Sequence, residues 1–252
     1  MREYAWLFLG IGLTFSLIGC GDSGSSGGGG SAASGGSGGS GGSGAMVTVT
    51  GQVTAATTGV GSGPVVADAT VEVVGTSNTA TTDVNGNFSI MAPTGTVLIL
   101  TTTPGKPNWG SLFAENVPAG GRTGLEVEVI PEALVDQLAA DVGVTPDNTK
   151  GIVAVAFDET TIVGGETAGI VADTSDISFI FNAADEPEEG DTLCGETDCG
   201  SEVIFLNVDL AATVRADAVS TAQQGCPPEF PDATYSVLEK VLTEIDVVCA
   251  VQ

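Results

Sequence analysis

The chain has 252 residues, 42% of them hydrophobic, with 6 basic against 32 acidic side chains, no histidine and a net charge of −26. Such a surface excludes nucleic acid and anionic headgroups as electrostatic partners. The missing histidine excludes Ser–His and Cys–His nucleophilic catalysis, and the apolar content is too high for a chain disordered throughout.

At the N-terminus, Arg2 precedes an almost unbroken apolar run from Ala5 to Leu17. A run of about 13 residues is too short to cross a hydrocarbon core roughly 30 Å thick. Residues 1–19 therefore read as an export signal. Leu17-Ile18-Gly19-Cys20 resembles the lipobox of bacterial lipoproteins. That resemblance implies that Cys20 is lipidated and becomes the new N-terminus, so the membrane is reached through a lipid anchor. Gly21, in place of an acidic residue, resembles the pattern of lipoproteins sorted to the outer membrane, and the expected location is the cell envelope.

Residues 20–45 form the expected tether. From 21 to 44 all are Gly or Ser except Asp22, Ala32 and Ala33, and nothing apolar is present to offset the entropy of ordering. A coil of this composition spans roughly 25–30 Å, enough to hold a folded body clear of a bilayer.

Residues 46–130 read as an antiparallel β-sandwich. Val47-Thr48-Val49-Thr50, Val71-Glu72-Val73, Phe88-Ser89-Ile90 and Leu125-Glu126-Val127-Glu128-Val129 alternate with the period of a half-buried strand. Asn85-Gly86 between two such runs predicts a type I′ hairpin. Gly51-Gln52-Val53, Pro64 to Val71, Thr81 to Ile90 and the Pro93-Thr94-Gly95 turn resemble, in order and spacing, a carboxypeptidase regulatory-like domain. The resemblance implies a transthyretin-like (prealbumin-like) sandwich serving as a non-catalytic stalk, spacer or recognition module. It brings no catalytic residues.

Residues 131–150 predict a short helix and linker. Pro131 suits a first helical position, Leu134, Val135, Leu138 and Val142 recur at helical spacing, and Gly143 ends the run. Residues 151–252 predict a second, divergent sandwich, from strand-like runs at 151–157, 168–171, 177–181, 203–208, 212–216 and 244–251. The fold class expected is thus all-β: two antiparallel sandwiches joined by a short helix, after a signal and a flexible linker.

Four cysteines remain beyond Cys20: Cys194, Cys199, Cys226 and Cys249. In an oxidising compartment an even number predicts two disulfides, with three connectivities open. A local Cys194–Cys199 clip would leave Cys226 to Cys249. The spacing does not match paired zinc motifs.

No catalytic constellation stands out, and a non-enzyme is expected. Asp185, Glu186, Glu188, Glu189 and Asp191 concentrate hard oxygen ligands and form a candidate calcium loop, the one cofactor considered. Trp109 and Phe113, in a Gly/Pro-rich stretch, are candidates for stacking on a sugar or for burial between the domains. The function expected is a structural or interaction module of the cell envelope, with an unidentified envelope protein or glycan as partner. A carbohydrate-binding accessory protein is the alternative.

Overall fold

The computed structural model describes residues 45–57, 63–158, 163–171, 173–184, 186–194 and 200–249. The expected signal, Cys20 and the expected tether up to residue 44 lie outside the described residues. The body is built almost wholly of strands: β1 Met46–Ala55, β2 Thr70–Val73, β3 Thr79–Thr81, β4 Asn87–Pro93, β5 Gly95–Thr102, β6 Asn108–Val117 and β7 Arg122–Pro131. Helix α1 Glu132–Asp141 follows, then β8 Gly151–Phe157, β9 Thr167–Ile170, β10 Ile177–Phe181, β11 Pro187–Glu189 and β12 Glu202–Val208. The chain continues with β13 Ala211–Val214, β14 Ala216–Val219, β15 Gly225–Cys226, β16 Tyr235–Val237 and β17 Val241–Val247.

The first half is a sandwich of β4-β1-β7 on β3-β2-β5-β6. Alternation places one face of each strand inside. Val49, Val53, Val71, Val73, Ile90, Ile99, Leu125 and Val127 meet in one buried cluster, as the period-2 runs require. The strands are not all antiparallel, because β1 runs parallel to β7.

Asn85-Gly86 does not make the expected hairpin. Its flanking strands belong to different sheets, β3 pairing β2 and β4 pairing β1. Gly86 has φ +75° but Asn85 is not among the positive-φ residues, whereas a type I′ turn needs both. The Asp83 carboxylate accepts the amides of Asn85 and Asn87 at 2.8 and 2.9 Å. That Asx-type turn lets the chain cross from one sheet to the other. Gly86 O accepts from the Val53 amide at 2.8 Å, which fastens the corner to β1.

The second half has three layers. The order β11-β10-β12-β8-β17 forms a central sheet. On one face, the small sheets β15-β14-β9 and β13-β16 cover Val153, Val155, Phe205 and Ile245. On the other, α1 brings Leu134, Val135, Leu138 and Ala139 against Ile152, Phe179, Ile204 and Leu242. Cover on both sides explains why β12 and β8 read as near-continuous apolar runs instead of alternating ones.

Helix α1 begins one residue later than expected, with Pro131 as an N-cap lacking a side-chain bond. Its end is where Gly143 placed it. Gly143 takes φ +78°, its amide donates to Ala140 O at 3.2 Å, and Val144 donates to Ala139 O at 2.8 Å. That pair of bonds is a Schellman motif. No helix among the described residues is long and apolar enough to cross a membrane.

The halves share one sheet, which the sequence did not announce. β17 lies parallel to β8 over Leu242–Val247 and parallel to β6 over Val241–Thr243.

Truncating Phe205, 1% exposed between layers, to alanine is expected to cost about 3–5 kcal/mol in denaturant unfolding. Gly86→Ala is expected to cost more than ~1 kcal/mol in the same measurement, because φ is positive and its Cβ would sit 2.6 Å from Val53 O.

Candidate functional site

The end of β17 is pinned covalently. Cys226 on β15 is bonded to Cys249, with Cα atoms 4.3 Å apart, so the last strand is tied to a small outer sheet. Cys194 is also disulfide-bonded, while Cys199 lies outside the described residues. Neighbouring backbone bonds continue the tie: the Val248 amide donates to Pro227 O and that of Glu229 to Asp246 O, at 2.9 and 2.8 Å.

The aromatic candidates offer no sugar platform. Trp109 is 1% exposed and Phe113 3%. Trp109 packs with Ile130, Leu138 and Leu242 beneath the helix, and Phe113 lies within the first sandwich. Both sit on one face of β6, which both halves of the molecule cover. A ring used as a stacking surface needs an open face, and neither has one.

The acidic loop is split by secondary structure. Asp185 lies outside the described residues. Glu188 and Glu189 fall on β11, opposite Ile180 and Phe179, where successive side chains point to opposite faces. Glu186, Glu188, Glu189 and Asp191 are all exposed. Among the described residues no group of three or more His, Cys, Asp or Glu is placed to hold a metal ion.

Two polar arrangements went unnoticed in the sequence. The first is a knot around Asn207, a 2%-exposed residue with φ 56° at the bulge that interrupts β12. Its Oδ1 accepts from the Asp147 amide at 2.8 Å, and its Nδ2 donates to Thr145 O at 2.9 Å and Asp176 Oδ2 at 2.8 Å. Lys150 Nζ lies 3.1 Å from Asp209 and 3.8 Å from Asp176. The hydrogen bond that Lys150 donates to Asp209 raises the lysine's pKa above its ordinary value. One amide thus fastens the α1–β8 linker to the central sheet. An Asn inside an apolar run, followed by Asp209, was the available signal, since Asn tolerates positive φ better than most residues.

The second is a group of carboxylates where the two halves join. Strand alternation puts Leu242, Glu244 and Asp246 on one face of β17, and Glu128 and Ile130 on one face of β7. Leu242 and Ile130 belong to the same buried cluster under α1, so the acids continue that shared layer outward. Burial, then Asp246 and Glu128, push Glu244 well above the usual carboxylate range. Asp246 is raised by burial, Glu229 and Glu115. Burial also raises Glu115, Glu128 and Glu229. Burial and the negative charges of Asp246, Glu244 and Glu229 raise Tyr235 in turn. Arg122, 3.4 Å from Glu115, supplies a nearby positive charge.

Replacing Cys226 and Cys249 together by serine is expected to cost about 2–4 kcal/mol, read as a lower thermal midpoint that reductant no longer changes at that bond. Asn207→Ala removes three hydrogen bonds and is expected to cost roughly 2–3 kcal/mol in denaturant unfolding.

No protein-family model and no curated protein matches the chain. Among solved structures it is similar to a mutant type II cohesin–X–dockerin complex from Acetivibrio cellulolyticus, at 30% identity and TM-score 0.26 over 32% of this chain and 56% of that one. It is also similar to the shaft pilin SpaA of Lactobacillus rhamnosus GG, at 11% identity and TM-score 0.25 over 82% and 99% of the two chains. A DUF3823 family protein from Parabacteroides merdae matches at 10% identity and TM-score 0.25 over 82% and 100%. The chain spans just over half the length of the first of these, and at these scores the likeness carries no assignment of function.

Proposed function

We propose that this chain is a lipid-anchored cell-envelope protein whose β-sandwich body acts as a non-catalytic structural or interaction module. The observation that carries the reading is an order of parts: Leu17-Ile18-Gly19-Cys20, then a Gly/Ser tether, then a disulfide-bonded β body. Each part supports the next. Acyl chains on Cys20 would hold a body whose charge of −26 is repelled by anionic headgroups. The tether would let that body reorient, and it delivers the chain to the exposed Ala45 and Met46 at the start of β1. A disulfide between Cys226 and Cys249 agrees with an oxidising compartment outside the cytoplasm.

The first sandwich, with its Gly51-Gln52-Val53 and Thr81 to Ile90 segments, fits the carboxypeptidase regulatory-like reading, in which such modules space or present other domains. The absence of histidine from the whole sequence favours a non-enzyme.

Labelling cells with a clickable palmitate analogue and fractionating them tests the anchor. Wild-type chain is expected to carry label and sediment with envelopes, and Cys20→Ser to lose the label and appear in the soluble exported fraction. Unlabelled wild-type chain, or a serine variant that still sediments, would overturn the reading.

A further inference from the structure

β17 is paired on both sides at its start, but its two partners do not stay equally long. The ladder to β8 runs on to Val247 and Phe157, while the ladder to β6 stops at Thr243 and Leu112. The two halves therefore part at Glu244, the residue at which β17 turns acidic. Several elements around that point bring a carboxylate. β17 carries Glu244 and Asp246, β6 carries Glu115, β7 carries Glu126 and Glu128, and the segment between β15 and β16 carries Glu229. Asp158 follows β8 and acts on Glu229. Tyr235 of β16 feels Asp246, Glu244 and Glu229. β8 itself sets only Ala154 and Ala156 opposite the two β17 acids. Against these stands Arg122, bound to Glu115. Lys240 lies at the other end of β17, paired with Glu132 of α1.

A second observation marks the same line. Ser111 pairs with Leu242 across the seam and with Thr101 on its other side. The hydroxyls of Ser111 and Thr101 are buried, at 8% and 0% residue exposure, with no hydrogen-bond partner among the described residues. Unsatisfied buried hydroxyls cost free energy, so this line is less completely bonded than the layers on either side.

We propose that the junction of β6 and β17 is a proton-operated seam, closed when its carboxyls are neutral and loosened when they ionise. Neutral carboxyls can share protons and lie side by side. Ionised ones repel one another with little positive charge to compensate, and the three-residue ladder of β17 to β6 is shorter than its six-residue ladder to β8, so it is the one to yield. The halves would then move against each other while β17 stays with β8 and its disulfide.

The sign follows from the direction of the shifts. A carboxyl whose pKa is higher folded than unfolded stabilises fully below its unfolded value. That stabilisation is lost as pH rises through the folded value, so the window runs from about 3.8 to about 6 for Asp246 and from about 4.5 to about 8 for Glu244.

Hydrogen exchange by mass spectrometry on the full exported chain, corrected for intrinsic rates, tests this at pH 5 and pH 8. Amides of Gly110–Leu112 and Val241–Thr243 are expected to lose at least tenfold protection at pH 8, while Val49–Thr54 change less than twofold. Glu244→Gln with Asp246→Asn should hold seam protection within twofold between the two pH values. Should that variant fail to fold, Glu128→Gln on β7, which removes a charge acting on Glu244, should cut the pH difference in seam protection at least threefold. Equal wild-type protection at both pH values would overturn the proposal. So would an undiminished pH response in whichever of these variants folds.

Discussion

The structure depends on one strand that comes late in the chain and lies centrally. β17 supplies the common edge on which β6 from the first half and β8 from the second are laid, parallel to both. Parallel neighbours cannot be joined by a tight turn, so each of these pairings closes a long loop. β6 and β17 lie more than a hundred residues apart in the chain. The halves can each gather an apolar layer locally, but the shared sheet forms only once the C-terminal strand is present. The bond between Cys226 and Cys249 holds that strand's far end where its pairing with β6 has already stopped.

Around this strand the chain deploys few positive charges. Lys106 lies beside Asp68, Arg122 beside Glu115, Lys150 beside Asp176 and Asp209, and Lys240 beside Glu132. Each of these pairs sits where a loop or strand end must be held. Most are part-exposed and individually worth little. Their placement leaves the acids at the β6–β17 junction with one guanidinium among them, and burial then favours neutral carboxyls there. The same acidic excess that covers the surface thus puts uncompensated charge at the internal joint.

Among the described residues every phenylalanine and tryptophan is at least partly buried. The first strand begins at the surface, with Ala45 and Met46 exposed. Any recognition the body performs would therefore use loops and outer strand faces, because the interior is filled.

The strands of the first half, the helix and its stop at Gly143 were legible in the residues. Alternation of Val with Thr or Glu reports one buried face, and a Gly after an apolar 3.6-residue pattern reports a left-handed cap. The apolar runs of β8 and β12 were legible as strands but not as strands covered on both sides, since α1's position is a tertiary fact. The Asn85-Gly86 pair misled because its local preference says nothing about which sheet each flanking strand joins. Asp83 and the contact with Val53 settled that. Glu128, Glu244, Asp246 and Glu115 looked like ordinary solvated positions, because distant strands bring them together and no spacing along the chain records it. Composition by itself determined a strongly acidic, histidine-free chain, and alternation along it a β-rich one. Tertiary structure alone decided which strand the two halves share, because that pairing depends on the layers packed on either face of β17 and not on its own seven residues.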